Sequence, residues 1–168
     1  MNIILIGFMG AGKTAVGQKL AAELAMDYLD TDELIEKTEQ KTISEIFAND
    51  GEERFRELET RVVKTLGEYD NFIISTGGGI VLRPENVAGL KKAGPLVLLW
   101  AEPEVIYERV RAEYHRPLLK VSEPLAEIKK ILNDRAKTYH QVADLKIDTS
   151  ELNVSQVTEE IKQWLKSR

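Results

Sequence analysis

The stretch GFMGAGKT, residues Gly7–Thr14, decides how the rest of this chain is interpreted. It follows an almost continuous apolar run, Asn2–Ile6, which is typical of a parallel strand buried on both faces. A helical pattern of apolar residues then runs from Thr14 to Leu24. A strand, a glycine-rich loop and a helix in this order are the setting in which Gly-x-x-x-x-Gly-Lys-Thr indicates a phosphate-binding loop.

Each residue type in the phosphate-binding loop has a chemical reason. The glycines allow successive backbone N–H groups to turn towards one anion, and the N-terminus of the following helix adds positive potential. Lys13 supplies a positive charge for the β- and γ-phosphates, and the hydroxyl of Thr14 can ligate Mg²⁺. We therefore predict that the loop holds a nucleoside triphosphate. A plain glycine-rich turn is the alternative, but it does not explain why spacing, position and flanking periodicity agree.

Composition limits the kind of protein this can be. A chain of 168 residues has the size of one domain, and we expect residues 1–168 to form one. The net charge of -5 argues against a nucleic-acid partner. Without cysteine, disulfides, zinc–thiolate sites and a thiol nucleophile are excluded. The opening MNIILIGFMG has no basic leader and too short an apolar run for a membrane helix, so we expect a cytoplasmic protein with no membrane partner.

The remaining apolar runs alternate between strand and helix patterns. Further strands are predicted at Tyr28–Asp30, Phe72–Ser75, Pro95–Trp100 and Ala143–Ile147. Helices are predicted at Asp32–Thr38, Gly51–Leu66, Pro84–Ala93, Pro103–Arg111, Leu125–Tyr139 and Val154–Lys166, with a short one opened by a capping box at Thr42. This alternation predicts a three-layer, doubly wound α/β fold with a parallel sheet. Such sheets bind ligands at the carboxyl ends of their strands.

Two carboxylates follow the predicted second strand. Asp30 and Asp32 are two residues apart and could face the same way. One could support hydrated Mg²⁺, while the other could orient an acceptor alcohol. Capping of the next helix by Asp30 or Thr31 is equally compatible with the pattern, and both roles can coexist.

Arginines and glycines after the other strands indicate an anionic ligand. Arg56 and Glu59 are three residues apart on a helix, and taken alone they are best interpreted as a surface ion pair of little energetic value. Gly77–Gly79 follow a buried strand and permit close backbone approach to a ligand. A polar stretch containing Arg116 and Pro117 joins two helices, which suits a lid that closes on phosphate, at about residues 112–123. Further arginines lie at Arg109 and Arg135.

In this order and spacing the motifs resemble those of the shikimate kinase family, and the resemblance extends from about Asn2 through the last helix. The segments that carry it are Gly7–Thr14, Asp30-Thr-Asp32, Phe55-Arg56-x-x-Glu59, Gly77–Gly79, Arg116-Pro-Leu-Leu119 and Arg135-x-x-x-Tyr139. The resemblance implies a fold like that of the nucleoside-monophosphate kinases, with five parallel strands in the order 2-3-1-4-5. It also implies transfer of the γ-phosphoryl group of ATP to the 3-hydroxyl of shikimate, a step towards chorismate and the aromatic amino acids.

The resemblance also implies roles for individual residues. ATP and Mg²⁺ would be bound by the segment from Gly10 through Ala11, Gly12, Lys13 and Thr14 to Ala15, with Asp30 near the metal and Arg109 over the adenine, although Arg111 could take that place. Shikimate would be bound by Asp32, Arg56, Gly77, Gly78, Gly79 and Arg135, with Asp32 also assisting the nucleophile. Arg116 on the lid would bridge phosphate and substrate and, with Lys13 and Asp32, complete the catalytic set. We expect the protein to act as a monomer on these small molecules.

Several features depart from the family pattern or favour another interpretation. Thr76 stands where family members often have leucine, and Ala112–His115 is bulkier than many lids. His115 is interpreted as a solvated loop residue, and His140 has no second histidine placed for a metal site. A GTPase would need an N-K-x-D segment, which the sequence lacks, and most motors are longer. A sugar-acid kinase of the same fold, such as a gluconate kinase, and a nucleotide-binding relative without turnover stay open as alternatives.

Overall fold

Five parallel strands form one sheet in the order β2-β3-β1-β4-β5. A computed structural model of the chain describes residues 1–112 and 120–168. The strands are β1 (Ile3–Ile6), β2 (Asp27–Asp30), β3 (Phe72–Ser75), β4 (Leu96–Trp100) and β5 (Leu145–Asp148). The predicted fold class and strand order are therefore confirmed.

Helices cover both faces of this sheet. They are α1 (Lys13–Leu24), α2 (Thr31–Glu39), α3 (Ile43–Asp50), α4 (Glu52–Thr65), α5 (Pro84–Ala93), α6 (Pro103–Val110), α7 (Pro124–Val142) and α8 (Val154–Lys166). Short 3₁₀ turns follow α4 at Leu66–Glu68 and precede α5 at Ile80–Leu82. The predicted capping box of α3 is present, because Thr42 and Glu45 each bond the other's backbone N–H.

The central strands are buried on both faces because their residues alternate between two hydrophobic clusters. One cluster contains Ile4 and Ile6 of β1 and packs beneath α4, α5 and α7. The other contains Ile3 and Leu5 and packs beneath α1 and α8. This arrangement explains why the first strand is a continuous apolar run rather than an alternating one.

The predicted boundaries differ from the observed ones by up to three residues. The helix α7 ends at Val142 rather than at Tyr139, and the last strand is shifted along the chain. Ala143–Ile147 was the expected range, whereas β5 begins at Leu145. The difference arises at Asp144, whose backbone N–H donates to Leu96 O at 2.8 Å while its Oδ2 accepts from Leu96 N at 2.8 Å. At the start of the β4–β5 pairing, the Asp144 side chain therefore takes the place of a backbone hydrogen-bond acceptor.

Within the described residues we find no helix with the length and apolar character needed to span a membrane.

Candidate active site

A cleft of about 740 Å³ opens at the carboxyl ends of the strands, and most of the predicted site residues line it. The residues of the cleft that were singled out from the sequence are Gly10, Gly12, Lys13, Thr14, Ala15, Asp30, Asp32, Arg56, Gly77, Gly78, Gly79 and Arg135. They come from the loop after β1, α1, β2, α2, α4, the loop after β3, and α7. The parallel sheet brings them together because each connecting segment leaves its strand at the same edge.

The phosphate-binding loop leaves β1 in a conformation that depends on glycine. Gly7 has φ 143°, and a Cβ atom there would lie 2.2 Å from the carbonyl oxygen of Leu99. Gly12 has φ 104° and directly precedes the first turn of α1. A residue with a side chain would be strained at both positions because φ is positive, and at Gly7 its Cβ atom would also clash with Leu99.

Lys13 is the first residue of α1 and is only 9% exposed. Its ammonium group donates to the carbonyl oxygens of Gly7 at 2.6 Å and Phe8 at 2.9 Å. The lysine therefore closes the loop on itself, and its charge lies inside the cleft where phosphates would bind. Thr14 and Ala15 follow it in the first turn and are exposed to the cleft, whereas the side chain of Ala11 is buried in the core.

Asp30 caps α2, so the capping interpretation holds for Asp30. Its Oδ1 accepts from the backbone N–H of Asp32 at 2.8 Å and of Glu33 at 3.3 Å. The hydroxyl of Thr31 instead accepts from the backbone N–H of Gly77 at 3.2 Å. The second carboxylate oxygen of Asp30 lies 3.5 Å from the hydroxyl of Tyr28.

The oxygen atoms around Thr14 and Asp30 suit a small, hard cation. Hydroxyl, carboxylate and water oxygens are the ligands that Mg²⁺ prefers, and it usually takes only one or two carboxylates from the protein. The Tyr28 hydroxyl also interacts with the side chains of Ser75 and Thr14, so it connects both candidate metal-site residues. Tyr28 and Ser75 were not identified from the sequence, because they are indistinguishable there from ordinary strand residues.

Asp32 is the carboxylate with the most unusual environment. Its Oδ1 is buried and has no hydrogen-bond partner among the described residues. Burial, together with the negative charges of Asp30 and Glu59, raises its pKa from 3.8 to about 7, although Lys13 acts in the opposite direction. A carboxyl group with a pKa near neutrality is suited to accepting a proton during a reaction.

This raised pKa predicts how stability changes with pH in the absence of ligands. Because the folded state holds the Asp32 proton more tightly than the unfolded chain, stability should fall as pH rises from about 4 through about 7. Asp32→Asn removes this penalty. We expect it to stabilise the protein by about 2–3 kcal/mol more at about pH 8 than at about pH 5, measured by urea unfolding without Mg²⁺. Asp27→Asn, at an exposed position in the preceding strand β2, serves as the control. An equal effect at both pH values would contradict the predicted environment.

Arg56 and Glu59 form an ion pair, but the surface interpretation of this pair was wrong. Arg56 Nη1 lies 2.8 Å from Glu59 Oε2, the Glu59 side chain is fully buried, and that of Arg56 is 12% exposed. Arg56 also contacts Glu52 at 3.2 Å. Burial raises the pKa of Glu59, while Arg56 acts to lower it. The sequence spacing could not reveal this burial, because it depends on the loop after β3 that covers α4.

The glycine loop after β3 packs directly on these charged groups. A Cβ atom at Gly77 would lie 2.7 Å from Asp32 Oδ1 and 3.0 Å from Glu59 Oε1. One at Gly79 would lie 2.3 Å from Arg56 Nη1. Close approach of backbone to charged side chains therefore accounts for this run of glycines. Thr76, which stands where leucine was expected, fits this position because its hydroxyl donates to Leu5 O at 2.9 Å.

Arg135 reaches the same loop from α7. It is 8% exposed, its guanidinium lies over the ring of Phe8 at 5.8 Å, and a Cβ atom at Gly78 would lie 3.3 Å from its Nη1. One turn further along α7, the hydroxyl of Tyr139 donates to the carbonyl oxygen of Gly78. Two guanidinium groups and the backbone of three glycines therefore meet at one side of the cleft.

The arginines near the predicted lid have different positions. Arg109 does not line the cleft; it donates to Gly10 O at 3.0 Å and to the backbone oxygen of Thr149 at 2.7 Å. Arg111 is exposed and pairs with Glu108 at 3.5 Å. His115, Arg116 and most of the predicted lid at 112–123 lie outside the described residues, so the predictions for them are not compared with the structure. His140 packs against the ring of Trp100, with 5.2 Å between ring centres.

Comparisons with known proteins agree over the whole chain. Residues 9–166 match the shikimate kinase family profile. The shikimate kinase of Pelotomaculum thermopropionicum is 48% identical, with 98% of this chain and 95% of the relative covered. The structure of shikimate kinase from Acinetobacter baumannii in complex with shikimate has a TM-score of 0.95 at 36% identity, covering 99% of this chain and 93% of that one. The Aquifex aeolicus shikimate kinase structure has a TM-score of 0.86 at 39% identity, covering 99% and 96%. This chain therefore belongs to the shikimate kinase family.

Proposed function

We propose that the chain transfers the γ-phosphoryl group of ATP to the 3-hydroxyl of shikimate, giving shikimate 3-phosphate and ADP in aromatic amino acid biosynthesis. The observation that carries this proposal is the cleft at the carboxyl ends of the strands, in which a phosphate-binding loop faces two arginines and a glycine loop. Phosphoryl transfer needs positioning and charge neutralisation more than covalent chemistry, so this set of groups is sufficient.

The two ends of the cleft have different tasks. The backbone from Gly10 to Ala15 and the ammonium of Lys13 bind the phosphates of ATP. Arg56 and Arg135 hold the carboxylate of shikimate, because a guanidinium group offers a planar fork that matches a carboxylate. Between them Asp32 accepts a hydrogen bond from the 3-hydroxyl and takes its proton as the new O–P bond forms and the bond to the ADP oxygen breaks. By similarity to the family, Arg116 would bridge phosphate and substrate from the lid, and Arg109 would contact the adenine.

Thr14 and Asp30 are the residues that would hold Mg²⁺, directly or through water. The ion supplies charge neutralisation on the β- and γ-phosphates when it is bound. The hydroxyl and carboxylate oxygens at these positions fit that cation. Asp30 also caps α2, and Asn caps helices about as well as Asp, so a substitution at this position can separate charge from capping.

Asp30→Asn should raise the Mg²⁺ concentration needed for half-maximal activity by roughly tenfold, since loss of a metal-supporting group weakens metal affinity by about this much or more. The KM for shikimate should change little. Titration of activity with Mg²⁺ at saturating ATP measures the first effect, and Asp27→Asn is the matched control in the same strand. If Asp32→Asn shifted the Mg²⁺ requirement and Asp30→Asn did not, the roles of the two aspartates would have to be exchanged.

The activity itself is tested by measuring ADP formation from ATP with shikimate against gluconate, other sugar acids and nucleoside monophosphates. We expect turnover with shikimate to exceed that with each other acceptor. Preference for another sugar acid would assign the chain a different acceptor, and binding of ATP without turnover would indicate a non-catalytic relative. We further propose that the chain works as one domain and as a monomer in the cytoplasm, which light scattering of the purified protein and cell fractionation can test.

A further inference from the structure

We propose that Tyr139 is a positioning residue that aims both the Gly79 backbone N–H and the Arg135 guanidinium at the carboxylate of the substrate. The inference rests on the proposed function, because it assumes that Arg56, Arg135 and the glycine loop bind that carboxylate. Tyr139 itself is fully buried and does not line the cleft.

The hydroxyl of Tyr139 and the guanidinium of Arg135 approach the same point of the glycine loop. The hydroxyl donates to the carbonyl oxygen of Gly78. A Cβ atom at Gly78 would lie 3.6 Å from that hydroxyl and 3.3 Å from Arg135 Nη1. Arg135 and Tyr139 are four residues apart in α7 and therefore share one face of that helix.

The contact with Gly78 has a consequence on the other side of the same peptide plane. The Gly78–Gly79 peptide bond is trans, so the C=O of Gly78 and the N–H of Gly79 point in opposite directions. When Tyr139 holds the carbonyl oxygen, it also fixes the direction of the Gly79 N–H. Glycine has little intrinsic preference between backbone conformations, so this loop needs such a contact to hold one orientation.

The surroundings of Gly79 indicate what its N–H can meet. The Arg56 guanidinium lies close to Gly79, and that of Arg135 lies close to Gly78. Together with the cleft-lining backbone, they form a set of donors suited to an anion with two oxygen atoms. One tyrosine hydroxyl thus links the arginine of α7 to the backbone donor beside it.

Tyr139→Phe is the direct test because it keeps the ring and removes only the hydroxyl. It leaves the half-buried Gly78 carbonyl without this donor, and we expect the KM for shikimate to rise roughly 5- to 30-fold with little change in the KM for ATP. Tyr69→Phe is the matched control, since Tyr69 precedes β3 at the opposite edge of the sheet and its ring packs on Phe72. Similar rises in both KM values would indicate a general structural effect and overturn the proposal.

A backbone measurement separates positioning from simple packing. Gly78 and Gly79 are the two glycines of the chain that directly follow another glycine, so labelling glycine with ¹⁵N and carbonyl ¹³C yields two amide signals in a carbonyl-edited spectrum. In the wild type we expect shikimate to move the Gly79 signal downfield, and its carboxamide analogue to move it less. In Tyr139→Phe the shift produced by shikimate should shrink by at least about half.

The outcomes distinguish this inference from the proposed function. A wild type that treats shikimate and its carboxamide alike, with no change at Gly79, overturns the carboxylate site and this inference with it. A wild type that discriminates, combined with a Tyr139→Phe variant of unchanged shikimate KM and Gly79 shift, overturns the role of Tyr139 alone. If Tyr139→Phe does not fold, 3-fluorotyrosine at position 139 keeps ring and hydroxyl. Its ¹⁹F signal should then move on addition of shikimate, and an unmoved signal contradicts the proposal.

Discussion

Lys13→Ala should lower kcat by about a hundredfold to a thousandfold, because it removes the positive charge that stabilises the phosphoryl group during its transfer. Loss of one transition-state charge contact costs roughly 3–4 kcal/mol. The substitution also removes two hydrogen bonds to the carbonyl oxygens of Gly7 and Phe8, so the loop loses a contact that closes it in the ligand-free state. Lys13 is not a freely exposed loop residue, because it is the first residue of α1 and is buried.

The experiment must separate loss of charge from loss of loop structure. Lys19→Ala on the same helix is the matched control, since Lys19 is partly exposed and pairs with Glu23 at 2.7 Å. Thermal unfolding of both variants shows whether they fold, and kcat at saturating ATP and shikimate measures the effect on chemistry. We expect Lys19→Ala to retain nearly full activity. A folded Lys13→Ala variant with near-normal kcat would contradict the assignment of the phosphate-binding loop.

Arg56→Ala and Arg135→Ala should each lower kcat/KM for shikimate by about thirtyfold to a thousandfold. Removing one charged partner of a carboxylate in a largely desolvated pocket costs roughly 2–4 kcal/mol. The KM for ATP should change little, because neither arginine is expected to touch the nucleotide. Lysine should rescue only in part, since a point charge does not reproduce the guanidinium fork.

The two arginines require different controls. Arg56→Ala leaves Glu59 buried without its partner, which by itself destabilises a protein by about 3–5 kcal/mol. The double variant Arg56→Ala/Glu59→Gln removes that stranded charge and should recover stability without recovering shikimate affinity. Arg54→Ala on α4 is the control for both arginines, because the ion pairs of Arg54 with Glu39 and Glu57 are partly exposed to solvent.

The decisive comparison uses the carboxamide analogue of shikimate. The wild type should discriminate strongly in favour of the acid, whereas Arg56→Ala and Arg135→Ala should discriminate much less. Arg54→Ala should behave as the wild type. If kcat/KM of a variant falls by the same factor for the acid and for the amide, that arginine acts through structure. For Arg56, the ion pair with Glu59 would then be its main role.

Local sequence was sufficient to predict the architecture and the glycine-rich loop between β1 and α1. The apolar run Ile3–Ile6, the glycines that follow and the amphipathic helix after them each indicate a structure through short-range spacing. Alternation of strand and helix patterns then predicts a parallel sheet, and the edge of that sheet predicts where the polar residues meet. The predicted boundaries missed the observed ones by up to three residues, as at the end of α7 and at β5, where the Asp144 side chain takes part in the strand pairing.

The electrostatics of the acceptor end were decided by tertiary structure. Three-residue spacing makes Arg56 and Glu59 neighbours, but only the packing of the glycine loop on α4 buries them. The same packing brings Glu59 near Asp32, which lies in a different element, and so contributes to the raised pKa of Asp32. Tyr139 contacts Gly78 across 61 positions of the chain. Sequence periodicity reports neighbours within one helix or strand, whereas burial and charge coupling depend on atoms that distant segments bring within a few ångströms, where the low local dielectric strengthens their interaction.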